Sequence, residues 1–153
     1  MKQLTAFLFI PVFIYSCNTT PAEKPVAKRL PIEGTWSLQS AATITKSDTV
    51  ITDYTKNQKM IKIINATHFS FLKHDLKTGK DTSFFEAGGG SYTLVDSQYT
   101  EHLDYCNFRE WEGHVFPFTV AIHNDTLLQS GIEKVENLGI NRLIVERYVR
   151  VKE

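Results

Sequence analysis

Tyr99-Thr100-Glu101-His102-Leu103-Asp104-Tyr105 alternates between two kinds of side chain. Successive residues of a β-strand point to opposite faces. Tyr99, Glu101, Leu103 and Tyr105 therefore share one face, and Thr100, His102 and Asp104 share the other. The first face is the more apolar and is expected to point inward. It carries Glu101 with it, and a buried carboxylate is costly unless it is paired or hydrogen-bonded. The same rule applied to Leu143-Ile144-Val145-Glu146-Arg147-Tyr148-Val149 puts Arg147 on the face of Leu143, Val145 and Val149. Glu101 and Arg147 are thus expected to pair inside, with Tyr99 and Tyr105 offering hydroxyls. A slip of one residue in either strand would reverse the assignment.

Outward from this stretch, alternation continues along most of residues 32–153, and no long helical period stands out. Strands are expected from Trp36 through Thr45, continuing at Thr49–Thr55 past a turn at Ser47-Asp48. Others are expected over Met60–Ile64, His68–Leu72, Thr82–Glu86, Ser91–Val95, Gln98–Cys106, Val115–His123, Asp125–Gln129 and Asn141–Val151. Asp96-Ser97 and Asn124-Asp125 sit where tight turns belong, and Thr78-Gly79-Lys80 is a further turn signal. A helical turn is expected near Glu133–Leu138. Many short, evenly spaced strands in one small domain indicate an all-β fold, an antiparallel up-and-down meander of about eight to ten strands that closes into a β-barrel or packs as a sandwich. Closure removes the exposed edges of an open sheet. Gly88-Gly89-Gly90 lacks the lysine and the strand-to-helix setting of a phosphate loop. It reads as a bend or a close approach of backbones.

The chain starts MKQLTAFLFIPVFIYSC, residues 1–17. Its apolar run is shorter than the roughly 20 residues that cross a bilayer and fits the core of a secretory signal. Ile14-Tyr15-Ser16-Cys17 resembles a lipobox, which implies cleavage before Cys17 and lipidation of that residue. Residues 1–16 are then a signal peptide, 17–31 a Pro-containing tether and 32–153 the domain. That resemblance implies a bacterial cell-envelope protein anchored through Cys17. The absence of an acidic run at Asn18-Thr19-Thr20 implies that it faces the periplasm.

Loss of residues 1–16 leaves 16 basic and 17 acidic residues. No charge excess attracts nucleic acid, so no nucleic-acid partner is expected. With Cys17 lipidated, Cys106 has no internal disulfide partner and reads as a small buried apolar group. The five histidines show no tight metal-ligand spacing. Neither Ser91 nor Ser97 lies in a nucleophile motif. No metal, cofactor or enzymatic activity is expected. Trp111, in a polar-flanked connection, is expected either at a pocket rim or folded back on the barrel.

Gly34-Thr35-Trp36 at the start of the first strand resembles the G-x-W signature of the lipocalins and their calycin relatives. Gly88–Leu94 and Gln98–Tyr105 resemble segments of uncharacterised lipocalin-like bacterial lipoproteins. The resemblance covers roughly residues 32–152. It implies a barrel closed at one end by Trp36, with an arginine from the last strand, Arg147 or Arg150, across the indole. It also implies binding of a small apolar or amphipathic molecule. The alternation then makes Glu101 and Arg147, with Tyr99 and Tyr105, a polar anchor at the base of the pocket, suited to a carboxylate or amide head group, and Trp111 a candidate contact at the rim. The alternative is an interaction module whose barrel is filled by its many aromatic side chains.

Overall fold

The computed structural model describes residues 31–76 and 84–152. The proposed signal peptide, Cys17, nearly all of the tether and the Thr78–Lys80 turn lie outside the described residues. Nine strands follow in order: β1 (Gly34–Ile44), β2 (Thr49–Asp53), β3 (Gln58–Ile64), β4 (His68–Asp75), β5 (Phe85–Val95), β6 (Gln98–Cys106), β7 (Val115–His123), β8 (Thr126–Val135) and β9 (Ile140–Arg150). Every pairing is antiparallel. From β3 to β9 each strand pairs with the next, and β9 returns to β1. Strand β1 serves two neighbours along one edge: Gly34–Ser37 pair with β3, and Ser40–Ile44 pair with β2. Eight strands close the barrel, and β2 is an extra strand beside it. A closed antiparallel eight-stranded barrel fits a lipocalin-like fold.

The turn chemistry follows the sequence. Val95 pairs with Gln98 and His123 pairs with Thr126, leaving two-residue turns at Asp96-Ser97 and Asn124-Asp125. Asp96 and Asn124 take positive φ, 54° and 53°. Asp and Asn tolerate that conformation because their short polar side chains bond locally. The expected helical turn is shorter than its sequence signal: a 3-10 turn at Glu136–Leu138, ended by Gly139 at φ 65°. Glu133 belongs to β8.

Two of the expected strands are one. Strand β5 runs without a break from Phe85 to Val95, with Gly88–Gly90 inside it. These glycines let β4 and β6 crowd against β5. A Cβ on Gly90 would run into the His102 carbonyl oxygen, and one on Gly89 would lie 2.5 Å from the Phe69 carbonyl oxygen. Directly beside them β6 carries a bulge, where Gly90 faces Leu103 but Gly89 faces Tyr105. Asp104 is the extra residue. A bulge offsets the inward–outward alternation by one. Tyr105 therefore faces out at 71 % exposure, and Cys106 takes the inward position. The expectation that Tyr105 points inward is corrected on this ground.

The barrel is sealed at the end where β1 begins and β9 finishes. Trp36 is fully buried there, and its Nε1 donates to the Ile32 carbonyl at 2.7 Å. The Arg150 guanidinium lies 4.0 Å over the indole. Its two terminal nitrogens donate to the Glu33 and Pro31 carbonyls, each at 2.7 Å. Of the two arginines implied by the resemblance, Arg150 takes the position across Trp36. Above this plug, Leu38, Phe69, Tyr99, Val120, Leu127 and Tyr148 fill the lower barrel.

Candidate functional site: a charged cavity in the upper barrel

Parity within β9 determines what faces the interior. Arg150 must turn inward to cover Trp36, so Tyr148, Glu146, Ile144 and Arg142 follow it at alternate positions. Ile144 and Tyr148 are buried, whereas Arg147 is exposed. The expected Glu101–Arg147 pair is therefore not formed. The outer face of β9 holds Leu143, Val145 and Val149, and Arg147 lies among them. The apolar face of this strand is the outer one, because the interior it borders is a charged cavity rather than a dry core.

Glu101 does point inward, at 7 % exposure, and its partner is Lys62. Lys62 Nζ donates to Glu101 Oε1 at 2.7 Å and to Gln129 Oε1 at 3.1 Å. Lys62 comes from β3, Glu101 from β6 and Gln129 from β8, so the contacts cross the barrel. Lys62 and Gln129 are 3 % and 1 % exposed. Phe69, Tyr99 and Tyr148 place their ring centres 5.7, 5.9 and 5.4 Å from the ammonium. Cation–π attraction at this range strengthens when the cation is desolvated. The Tyr99 hydroxyl is buried and has no hydrogen-bond partner among the described residues. Burial, followed by the Glu101 charge, pushes its pKa far above the ordinary phenol value, so it stays protonated.

Over this floor lies a cavity of about 290 Å³. Its walls include Ala41, Thr43, Tyr54, Met60, Phe71, Leu103, Trp111, Phe116 and Phe118. Two further ion pairs line it, each between directly opposed residues of neighbouring strands. Lys73 of β4 meets Glu86 of β5 at 3.1 Å. Arg142 of β9 meets Glu133 of β8 at 2.7 Å. Arg142 also lies 5.6 Å over the Trp111 ring. Trp111 sits in a 3-10 turn, Arg109–Trp111, and packs on Phe116 at 6.0 Å between ring centres. It folds back onto the barrel and lines the cavity as well, so both expectations for it meet in one position.

Glu146 also faces the cavity. It is half-buried, with part of its surface open to that space. It accepts a hydrogen bond from the Tyr148 hydroxyl at 2.8 Å. Burial raises the carboxyl pKa. Lys62 and Tyr148 pull the other way, while the charges of Glu101 and Glu133 add to the rise. Burial also raises the carboxyl of Glu133, against the opposing effect of Arg142. Cys106 lines the cavity wall as well, and burial raises its thiol pKa.

Of the expected contacts, Glu101 and Trp111 line the cavity, Tyr99 packs beneath it, and Tyr105 and Arg147 face away. Sequence reasoning passed over Lys62, Lys73, Glu86, Gln129, Glu133, Arg142 and Glu146. A lysine within the β-branched run Met60–Ile64 was the available sign for Lys62. The parity of Arg150 relative to Trp36 was the sign for Arg142 and Glu146. Among the described residues, no group of three or more His, Cys, Asp or Glu side chains is placed to hold a metal ion. No protein-family model matches this chain, and no curated protein matches its sequence.

Proposed function

We propose that this chain is a lipid-anchored, lipocalin-like barrel that binds one small, partly apolar molecule in its upper cavity. The observation carrying the proposal is the cavity itself, set above a filled floor and lined by both aromatic and charged side chains. Binding sites are concave, largely apolar and fitted with a few placed polar groups. A volume of about 290 Å³ suits a small metabolite rather than a long acyl chain. Binding, not catalysis, is the proposed role, because Lys62, Lys73 and Arg142 are each engaged with a carboxylate. The anchor is proposed from the lipobox-like Ile14–Cys17, and with it a periplasm-facing place in a bacterial envelope. The Gly34–Trp36 signature and Arg150 over Trp36 support the lipocalin-like reading.

Native mass spectrometry of the full chain, gently released from detergent, tests binding. A small molecule retained by the wild type and lost in Thr43→Trp, which fills the cavity, is the expected result. A bare protein mass for the wild type after exposure to cell extract favours a filled interaction module instead. Labelling with a palmitate analogue tests the anchor, and unchanged labelling of Cys17→Ala would remove it.

A further inference from the structure

We propose that the ligand is an organic cation, an amine on a compact apolar body, and that Glu146 receives its ammonium group. This rests on the cavity being a ligand site and names the chemistry it selects.

The charges on the wall carry the inference. Among the described residues, the cavity is lined by the cations Lys62, Lys73 and Arg142 and by the carboxylates Glu86, Glu101, Glu133 and Glu146. Each cation is held by one carboxylate at 2.7 to 3.1 Å. Glu146 is left without a cationic partner among the described residues, and its one hydrogen bond comes from a neutral phenol. Its position is fixed from two sides: Ala41 of β1 and Gln129 of β8 are its direct cross-strand neighbours. The Gln129 amide oxygen already accepts from Lys62.

The three classes of ligand fare differently in this space. An anion could reach spare N–H groups on Lys73 or Arg142, but it would add negative charge to a wall where four carboxylates already outnumber three cations, and it would leave Glu146 without a countercharge. A neutral molecule would leave Glu146 uncompensated. An ammonium group supplies the missing countercharge without disturbing any existing pair, and charge-assisted hydrogen bonds are the strong ones. Ala41 opposite Glu146 leaves room beside it, and Tyr54, Phe71, Trp111 and Phe116 provide apolar walls for the rest of the molecule.

The titratable groups that interact electrostatically with Glu146 include Tyr54, which follows β2, Lys62 of β3, Tyr99 and Glu101 of β6, Glu133 of β8 and Tyr148 of β9. Burial raises its carboxyl pKa. An arriving cation would lower it again, so binding and ionisation of Glu146 are linked. Amine affinity should fall as the pH drops below that raised value.

The test uses the full chain in detergent and three probes of similar size: phenethylamine, 3-phenylpropanamide and 3-phenylpropionate. Binding is followed by calorimetry and by Trp fluorescence, since Trp111 lines the cavity. Phenethylamine should bind most tightly. Glu146→Gln should weaken it about tenfold or more and abolish the acid-side loss of affinity. Glu136→Gln, on the exposed surface, should do neither. Tighter binding of the amide or the propionate, or unchanged amine affinity in Glu146→Gln, overturns the cation assignment and leaves the ligand cavity standing. If no probe binds at millimolar concentration, the cavity reading fails along with it.

Discussion

Replacing Lys62 by Met should be among the most damaging single changes in the upper barrel. The Met side chain fills most of the same volume, so the loss is electrostatic rather than a cavity. Glu101, at 7 % exposure, would lose its partner at 2.7 Å, and Gln129 would lose the ammonium at 3.1 Å. Breaking a buried pair from one side costs about 3–5 kcal/mol. Against a total stability of about 5–15 kcal/mol that is a large share, and in a domain of this size it lowers the melting temperature by roughly 10–20 °C. Glu101→Leu should cost a similar amount, since it leaves the ammonium buried. The double variant Lys62→Met, Glu101→Leu leaves no uncompensated charge at this point. It should recover most of the loss, because well-packed apolar replacements of buried pairs are often neutral or better. Urea unfolding of all four proteins closes the cycle. A coupling energy under about 1 kcal/mol would place the pair among weak surface bridges and refute its role as the bond that ties the floor together.

Arg150→Ala removes two hydrogen bonds to backbone carbonyls and the guanidinium over Trp36, at about 2–4 kcal/mol in urea unfolding. Arg150→Lys should restore only part of this, since a lysine lacks the planar fork, and full recovery would contradict the geometry. Gly90→Ala should cost more than about 2 kcal/mol or prevent soluble expression, because its methyl group meets the His102 carbonyl; near-wild-type unfolding would show that β5 and β6 can separate without loss. Glu146 has a raised carboxyl pKa, so the folded chain holds that proton where the unfolded chain has released it. Its contribution to stability therefore declines as the pH rises above the ordinary carboxylate value towards the raised one. Glu146→Gln lacks this dependence, and its stability relative to wild type should improve as the pH rises from the ordinary carboxylate value of about 4 through the raised one. A constant difference across that range would count against the burial effect.

Most of the barrel was legible because its strands obey local rules. Alternation and the turn pairs Asp96-Ser97 and Asn124-Asp125 mark hairpins without any knowledge of tertiary contacts. The Trp36 signature placed the sealed end, and a terminal arginine covers it as the resemblance implied. The failures came from long-range features. The bulge at Asp104 depends on how closely Gly89 and Gly90 let β6 approach, and it turned Tyr105 outward against the simple alternation. The misreading of β9 has a different cause. Choosing the apolar face as the inner one assumes that the interior is less polar than the outside. In the upper half of this barrel the reverse holds: Arg142 and Glu146 face in, while Leu143 and Val145 face out.

That inversion is itself informative about the cavity. Burying ionisable groups is costly unless each has a partner, and a barrel selected for stability alone would fill this space with the aliphatic residues now on the outer face of β9. Three of the carboxylates are compensated by cations on the same wall, which limits the cost. Glu146 is the exception, stabilised only by a phenol and by more distant positive charge. Departures from locally optimal choices tend to gather where a site serves something other than folding. In this barrel the departure is one carboxylate beyond what the three cations balance, beside Ala41 and within reach of aromatic walls. Filling the space with Thr43→Trp and neutralising Glu146 then probe different things. The first removes the room for any ligand, and the second removes only the preference for a positive one.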